Sequence, residues 1–229
     1  MDFATWEPVY RAILADFGYD RAADERARDL LGDLVADPLS PTAIGLDGAT
    51  VAVAGGAATL AGETGVAADA DAVVAASTAV DTLREAGVAV DCMVTDLDKN
   101  PGTVRELAAA GTPVVVHAHG DNAAALRTVV PALPPGSVLP TTQAAPRDAV
   151  ANFGGFTDGD RAAFLADHLG ADSLRFPGWD FEDPTVGVEK RRKLGWAERL
   201  LFWLERRRGE TFPVHDGRRG AIDTTALPL

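Results

Sequence analysis

Two aspartates, Asp96 and Asp98, follow an apolar run in the segment VTDLD. In an extended chain, side chains two residues apart point to the same side, so this spacing can aim both carboxylates at one point. Paired carboxylate oxygens are hard ligands of the kind that Mg²⁺ prefers beside phosphate groups. The same pattern also occurs as a turn or a helix cap, above all in an Asp-rich chain. We interpret the pair as a predicted magnesium site.

His117 and His119 lie two residues apart in the segment HAHGDN, although the whole chain has only four histidines. One of them could be a core histidine, with Asp121 capping the next helix, but we favour a functional role. The segment also approaches the H-x-H-x-D-H zinc signature of metallo-β-lactamase-like hydrolases, with Asn122 in place of the last histidine. Because the two remaining histidines do not follow strands, a zinc hydrolase is the weaker alternative.

The segment NFGGFTDGDRA, residues 152–162, combines an amide side chain, two aromatic rings, a glycine pair and two carboxylates. A planar ligand needs a ring to stack on, polar partners for its ring nitrogens, and small residues where the backbone comes close. Asp158 can in addition cap the helix that follows. We interpret this segment as a loop that binds a planar ligand.

Two further segments have the composition of phosphate sites. AGGAATLAG, residues 54–62, predicts a glycine turn before a helix, where backbone amides can hold a phosphate. It fits neither G-x-G-x-x-G nor a Walker loop, so a tight structural turn is an equal alternative and a dinucleotide oxidoreductase is weakly supported. VEKRRKLGW contains two of the three lysines of the chain, and we expect one or two of its basic side chains to reach a polyphosphate.

With 229 residues, of which 47% are apolar, the chain can bury one large core. The net charge is −13, because 24 Asp and 10 Glu, scattered along the chain, outnumber 18 Arg and 3 Lys. Such a surface is typical of a salt-adapted, halophilic protein, in which dissolved salt screens carboxylate repulsion. A binder of cations or basic partners is the weaker alternative, and the charge argues against general nucleic-acid binding.

A single cysteine, Cys92, excludes an internal disulfide and a multi-cysteine metal site, which fits a reducing compartment. The sequence has no signal-peptide pattern, and the apolar run at residues 200–204 is too short to span a membrane. We therefore predict a cytoplasmic protein that binds small molecules, with no nucleic-acid or membrane partner. A homo-oligomer is compatible with this prediction.

Apolar residues recur at helical spacing through the first forty residues, on either side of Gly18, which predicts a helical hairpin. From Thr50 onward, short β-branched runs alternate with alanine-rich stretches, which predicts βαβ units. The predicted strands are TVAVA, AVVAA, VAVDCMV, PVVVHA, SVLP, VANF and SLRF. The predicted fold is a three-layer α/β fold with a mostly parallel sheet and helices on both faces. We divide the chain into a helical segment at 1–44, an α/β catalytic domain at 45–210 and a tail at 211–229.

The polar segments follow predicted strands, in the order AGGAATLAG, AST, TDLDKN, HAHGDN, TTQ and NFGGFTDGDRA. In a parallel sheet, the carboxyl ends of the strands meet at one edge, where ligands bind. We therefore expect six strand ends to form a single site.

Taken together, VTDLD, HAHGDN, NFGGFTDGDRA and EKRRKL resemble the archaeal 6-hydroxymethyl-7,8-dihydropterin pyrophosphokinase family, whose fold is related to thiamine pyrophosphokinase. The resemblance covers most of residues 50–200. It implies Mg²⁺-dependent transfer of diphosphate from ATP to the hydroxymethyl group of a pterin, with release of AMP, on a route to folate or methanopterin. A thiamine pyrophosphokinase-like enzyme and a non-catalytic module that binds nucleotide or pterin are the alternatives.

The resemblance also implies site residues. Asp96 and Asp98 are expected to be magnesium ligands, and His117, His119 and Asp121 to be catalytic groups near the polyphosphate. The expected substrate-binding residues are Gln143, Asn152, Phe153, Gly154, Gly155, Phe156, Asp158 and Asp160. The expected nucleotide-binding residues are Gly55, Gly56, Ser77, Thr78, Lys190, Arg191, Arg192 and Lys193. Two positions depart from the family pattern, since Lys99 replaces a glycine after the acidic pair and Gly56-Ala57-Ala58 replaces a Gly-Pro-Ser turn.

Overall fold

The fold is a six-stranded sheet with eight α-helices, seen in a computed structural model that describes residues 1–229. The strands are β1 (Thr50–Ala54), β2 (Ala72–Ala76), β3 (Cys92–Thr95), β4 (Val114–Ala118), β5 (Val138–Thr142) and β6 (Ser173–Arg175). The helices are α1 (Phe3–Phe17), α2 (Arg21–Leu34), α3 (Leu60–Ala68), α4 (Ala79–Glu85), α5 (Pro101–Ala109), α6 (Ala123–Val129), α7 (Asp158–His168) and α8 (Val188–Arg208).

The strand order in the sheet is β5-β4-β3-β2-β1-β6, and every neighbouring pair is parallel. The chain steps from β1 to β5 in one direction and then returns, so that β6 lies on the other side of β1. The direction of the chain therefore reverses between β1 and β6, which makes a topological switch point there. The predicted α/β fold with a parallel sheet is confirmed.

Alternate residues of the strands pack into two separate apolar layers, one on each face of the sheet. In β1, Val51 and Val53 belong to one buried cluster, while Ala52 and Ala54 belong to the other. Helices α1, α7 and α8 cover the first face, and α2 to α6 cover the second. Because both faces are buried, the strands are apolar throughout, as expected for a parallel sheet in three layers. Cys92 is part of this core, as predicted.

The N-terminal helical hairpin is confirmed, and it straddles the β5 edge of the sheet. Helix α1 ends at Gly18, whose φ of 71° is a left-handed conformation that glycine adopts without strain. Asp20 then caps α2 by accepting the amide of Ala22. After α2, the amide of Leu39 donates to the carbonyl of Val138 in β5. The turn of the hairpin is thereby fixed beside the carboxyl ends of the strands.

The predicted strand at VANF is wrong. Residues 150–153 form only isolated bridges, one of them between Ala151 and Thr141. The ladder stops because the Asn152 amide donates to the carbonyls of Gln143 and Ala144, and because Gly154 has a φ of 92°. The segment is a buried loop that leads into α7.

Residues 211–229 pack on the same apolar layer as α1 and α8. Phe212 and Leu227 are buried there, in one cluster with Trp6 and Leu174. The three predicted segments of the chain therefore contribute to a common layer, and the boundaries at 44 and 210 stay predictions.

No helix in the structure combines the length and the apolar composition needed to cross a membrane.

Candidate active site

A cleft of about 490 Å³ lies along the carboxyl ends of the strands. Its walls come from the segments that follow β1 to β6, from the turn of the N-terminal hairpin, and from the first two turns of α8. The order of the strands sets the order of the side chains along the cleft. The segment after β3 lies in the middle, the segments after β1 and β6 at one end, and the segments after β4 and β5 with the hairpin at the other.

The acidic pair lies at the centre of this cleft, directly after β3. The strand ends at Thr95 and Leu97 has a φ of 67°, so the extended geometry assumed from the spacing does not continue. A tight turn instead brings the carboxylates together, with the amide of Asp98 donating to Asp96 Oδ1 at 3.1 Å. Burial and the neighbouring Asp96 carboxylate raise the pKa of Asp98.

His119 and Asn122 position Asp96 from the neighbouring strand. His119 Nε2 lies 3.4 Å from Asp96 Oδ2, while the amide of Asp121 faces its Nδ1 at 3.4 Å. This pattern assigns the ring proton to Nε2. The Asn122 side chain donates to the carbonyls of Asp96 and His117 at 2.9 and 2.7 Å, and accepts the amide of His119. Burial opposes ionisation of Asp96, but hydrogen bonds from its neighbours hold its pKa below the ordinary value.

His117 does not line the cleft. It lies within β4 and is 2% exposed, and its Nδ1 lies 3.2 Å from the hydroxyl of Thr141 in β5. Burial and the nearby Arg161 lower the pKa of His117 well below its ordinary value, so the ring is neutral. The structure therefore places His117 in the protein interior, outside the walls of the cleft.

A chain of buried hydrogen bonds connects the N-terminal hairpin to the cleft floor. Asp24, which is 3% exposed, accepts the Tyr10 hydroxyl at 2.7 Å, the Gln143 amide at 2.8 Å and the Gly120 amide at 2.8 Å. The side-chain oxygen of Gln143, Oε1, accepts from Arg161 Nη2 at 3.2 Å. A side chain on α2 thereby holds residues that follow β4 and β5.

Arg161 is the buried cation of the cleft floor. Its Nη1 lies 3.2 Å from Asp158, and the two side chains are 8% and 13% exposed. Burial, together with the charge of Asp96, nevertheless raises the pKa of Asp158 to about 7. Asp158 and Asp96 together therefore carry more negative charge than this one guanidinium neutralises.

The β1 and β6 end of the cleft depends on close backbone approach. A side-chain carbon on Gly55 would lie 2.4 Å from the carbonyl oxygen of Gly178, so only glycine fits. The Trp179 indole donates to the carbonyl of Val53 at 2.9 Å and lies against Gly159 at the start of α7. Ser77, with a φ of 48°, lines the cleft beside them and its buried hydroxyl has no partner in the protein. Strained backbone and an unpaired hydroxyl in a cleft are features of ligand sites.

The predicted site residues divide into two groups by position. Those that line the cleft are Gly55, Gly56, Ser77, Thr78, Asp96, Asp98, His119, Asp121, Gln143, Phe156, Asp158, Lys190 and Lys193. Those that do not are His117, Asn152, Phe153, Gly154, Gly155, Asp160, Arg191 and Arg192. The individual roles of both groups stay predictions.

The second group has structural contacts that explain its position. Asp160 accepts the amides of Phe156 and Thr157 in a capping box at the start of α7, in which Thr157, and not Asp158, is the N-cap. Arg192 lies over the Phe17 ring and contacts Asp16, so it joins α8 to α1. In residues 152–155, the Asn152 side chain donates to the carbonyls of Gln143 and Ala144 and accepts the amide of Gly154, so this segment is held against the residues that follow β5.

Several residues of the cleft lie outside the predicted site. Tyr19 stacks on Phe17 at 5.1 Å in the hairpin turn, and Trp179 follows the short edge strand β6. Neither lies in a recognisable motif, and Asp24 is hidden within a helical pattern. For Trp179 the available signal is position, since FPGWD follows a strand that the sequence does predict.

The fold and the cleft define an α/β enzyme whose active site lies at the carboxyl ends of a parallel sheet. A family profile described as "6-hydroxymethylpterin diphosphokinase MptE-like" matches residues 65–185. The chain belongs to this MptE-like family.

Three relatives carry the name 6-hydroxymethyl-7,8-dihydropterin pyrophosphokinase. The protein from Methanothermobacter thermautotrophicus is 37% identical over 233 residues, which cover 90% of this chain and 96% of that protein. The protein from Pyrococcus furiosus is 38% identical, over 90% of this chain and 95% of that protein. The protein from Methanocaldococcus jannaschii is 30% identical, over 90% of this chain and 96% of that protein. The resemblance recognised in the sequence motifs is confirmed.

Proposed function

We propose that the chain transfers diphosphate from ATP to 6-hydroxymethyl-7,8-dihydropterin, giving AMP and the pterin diphosphate. The observation that carries the proposal is a single cleft that holds an acidic pair, basic side chains and aromatic rings. Its relatives are named for this pterin substrate, and that supports the pterin as the acceptor.

The acidic pair fits Mg²⁺. Its donors are hard carboxylate oxygens, and the pKa of Asp98 is raised by burial and by Asp96, so a divalent cation would relieve the crowded negative charge. No three His, Cys, Asp or Glu side chains form a metal cluster, so phosphate oxygens and water would complete the coordination. A zinc hydrolase would need three or four protein ligands, which the cleft does not assemble. When bound, the ion would supply charge neutralisation on the ATP oxygens.

In the proposed reaction, the pterin hydroxyl oxygen attacks the β-phosphorus of ATP. The bond from that phosphorus to the oxygen shared with the α-phosphate breaks, and AMP leaves with the electron pair. Positioning and charge stabilisation supply most of the rate, so a strong base is not needed. His119 has both ring nitrogens engaged, by Asp96 and by the Asp121 amide. We therefore assign the exposed carboxylate of Asp121 as the acceptor of the hydroxyl proton.

The two substrates would occupy opposite ends of the cleft. The β1 and β6 end has the topological switch point, the Gly55 turn and the unpaired Ser77 hydroxyl, which favour the nucleotide. The hairpin end has the rings of Tyr19 and Phe156, 6.5 Å apart, with the Gln143 amide nearby, which favour the flat pterin. Since neighbouring strands lie about 4.8 Å apart, β3, which the acidic pair follows, is about 10 Å from β5 and from β1 and about 14 Å from β6.

The test is an assay of the purified chain in molar salt with ATP, Mg²⁺ and the pterin alcohol, separating AMP from ADP. Formation of AMP and pterin diphosphate in equal amounts is the expected result. ADP formation, or no product under conditions where the protein is folded, would contradict the proposal.

The same assay separates the alternatives. A thiamine pyrophosphokinase-like enzyme would prefer thiamine as acceptor, and a binding module would bind ATP and pterin without releasing AMP. We infer the pterin enzyme because of the relatives' names. A cytoplasmic location, a halophilic source and a homo-oligomer stay predictions.

A further inference from the structure

His117 and Arg161 each have a buried polar atom that no other group of the protein satisfies. The atoms are His117 Nε2 and Arg161 Nε. Both residues are more than nine-tenths buried, at 2% and 7% exposure. A buried donor or acceptor without a partner costs about 1–3 kcal/mol, so two of them around one place call for a ligand.

Both side chains line the same small cavity behind the cleft, with a volume of about 10 Å³. Thr142 and Gly154 also line it. The volume is close to the lower limit for one water molecule, which needs roughly 10–15 Å³ and two to four polar partners. Arg161 lines the cleft as well, so it separates the cavity from the substrates.

The hydrogen-bonding pattern shows which atom donates and which accepts. The Thr141 hydroxyl donates to the carbonyl of Val116 at 3.1 Å, so it accepts from His117 Nδ1 at 3.2 Å. His117 Nε2 is therefore a free acceptor, and Arg161 Nε is a free donor. The Thr142 hydroxyl oxygen already accepts the amide of Ala144, so its proton is available.

Only a ligand that both donates and accepts fits this set of groups. An anion would leave the His117 lone pair unsatisfied, and a cation would be repelled by the guanidinium. We propose that the cavity binds one water molecule, which accepts from Arg161 Nε and the Thr142 hydroxyl and donates to His117 Nε2. Three hydrogen bonds are the usual number for a buried water.

The water makes His117 a positioning residue for Arg161. The two Nη atoms of Arg161 are held by Asp158 and Gln143, each at 3.2 Å. With Nε also held, all three nitrogens of the guanidinium have a fixed partner, and the plane of the group cannot rotate. The orientation of the one cation in the cleft floor is then set by a histidine that never touches the substrates.

A high-resolution crystal structure of the full chain tests the water site directly. The expected result is a density peak within hydrogen-bond distance of both His117 Nε2 and Arg161 Nε. An empty cavity, or a direct contact between the two side chains, would overturn the proposal. This result does not depend on turnover, so it stays decisive even if the proposed function fails.

The kinetic test of His117 rests on the proposed function. His117→Leu should lower kcat/KM about tenfold, whereas His117→Gln, which keeps an acceptor, should stay within about threefold of the wild type. His215→Leu is the matched control, because His215 is also buried with an unpaired Nε2 but lies outside the cleft. Its kcat/KM should be unchanged wherever it is folded.

A double-variant cycle separates positioning from loss of packing. Arg161→Lys keeps the charge but removes Nε, so adding His117→Leu to it should cause little further loss of kcat/KM. Losses that multiply, or a glutamine variant as slow as the leucine variant, would contradict the proposal. If His117→Leu does not fold, the density peak between His117 Nε2 and Arg161 Nε decides the proposal, and His117→Gln must still stay within about threefold of the wild type.

Discussion

Among the single residues of the cleft, two neighbouring carboxylates repel each other, and a bound cation would relieve that repulsion. Asp96 and Asp98 face each other across a tight turn, and the pKa of Asp98 is raised by burial and by its neighbour. Asp98 therefore costs stability in the free state, since like charges at close range disfavour each other, whereas hydrogen bonds hold the pKa of Asp96 below its ordinary value. Groups arranged against stability in a cleft are characteristic of functional sites.

Asp96→Asn and Asp98→Asn should each lower kcat more than tenfold, because each removes one charged metal ligand. The thermal midpoint of Asp98→Asn should equal or exceed that of the wild type, since repulsion between carboxylates is removed. That of Asp96→Asn should be lower, since the hydrogen bonds that stabilise the ionised Asp96 carboxylate are lost. Turnover under saturating substrates and a thermal melt of the same samples measure both effects. Asp33→Asn, on the exposed side of α2, is the matched control and should change neither. Near-normal turnover of both site variants would refute the metal role.

At the scale of elements, the sequence predicts the fold well because its periodicity is strong. The six strands and the hairpin at Gly18 follow from apolar spacing alone. The error at VANF arises because a β-branched run does not reveal that Asn152 will bind backbone carbonyls and end the ladder. Position after a strand predicted Asp96 and His119 in the cleft and also applies to Trp179, whereas Asp24 reaches the cleft through tertiary packing that no local pattern encodes.

Gly120 is the point where the loop after β4 meets α2. A side-chain carbon there would lie 2.8 Å from Ala23 Cβ and close to Asp24, whose carboxylate accepts the Gly120 amide. Gly120→Ala should therefore separate the hairpin from the loop, cost about 1–3 kcal/mol of unfolding free energy, and raise KM for the pterin more than KM for ATP.

Gly62→Ala is the matched control for that variant, because Gly62 is in α3 with open space around it. Alanine is a better helix former than glycine, so this change should leave stability equal or raise it by up to about 1 kcal/mol. Denaturant unfolding and KM values for both substrates test the pair. An equal rise of both KM values in Gly120→Ala would contradict the assignment of the hairpin end to the pterin.

At the scale of the whole molecule, one buried carboxylate ties the C-terminal segment to α8. Glu205 accepts the Phe212 amide, Arg219 and His215, and it is 3% exposed. Burial raises its pKa, but these hydrogen bonds outweigh burial and hold the pKa of Glu205 below its ordinary value. Burial also lowers the pKa of His215, against the opposing effect of Glu205.

Both shifts destabilise the protein in acid. The stabilisation from His215 is complete above its unfolded pKa of about 6.5 and declines as the pH falls through its lower folded pKa. That from Glu205 is complete above about 4.3 and declines as the pH falls through its folded pKa. Glu205→Gln should lower the free energy of unfolding by about 3 kcal/mol at pH 7. Below about pH 4, the difference in unfolding free energy between this variant and the wild type should become smaller. Urea unfolding at several pH values measures this, and a constant difference would contradict it.

The net charge of −13 makes stability depend on the salt concentration. At 0.1 M salt the Debye length is about 10 Å, so neighbouring surface carboxylates repel one another, while at 1 M it is about 3 Å. The thermal midpoint should therefore rise with KCl and change most below about 1 M, where screening changes most. Replacing the exposed Asp33, Asp148 and Asp172 by Asn removes three negative charges and should flatten this dependence, because less repulsion remains to be screened. If both proteins instead gain stability in parallel up to several molar, salt acts by strengthening apolar burial, and the acidic surface is not the cause.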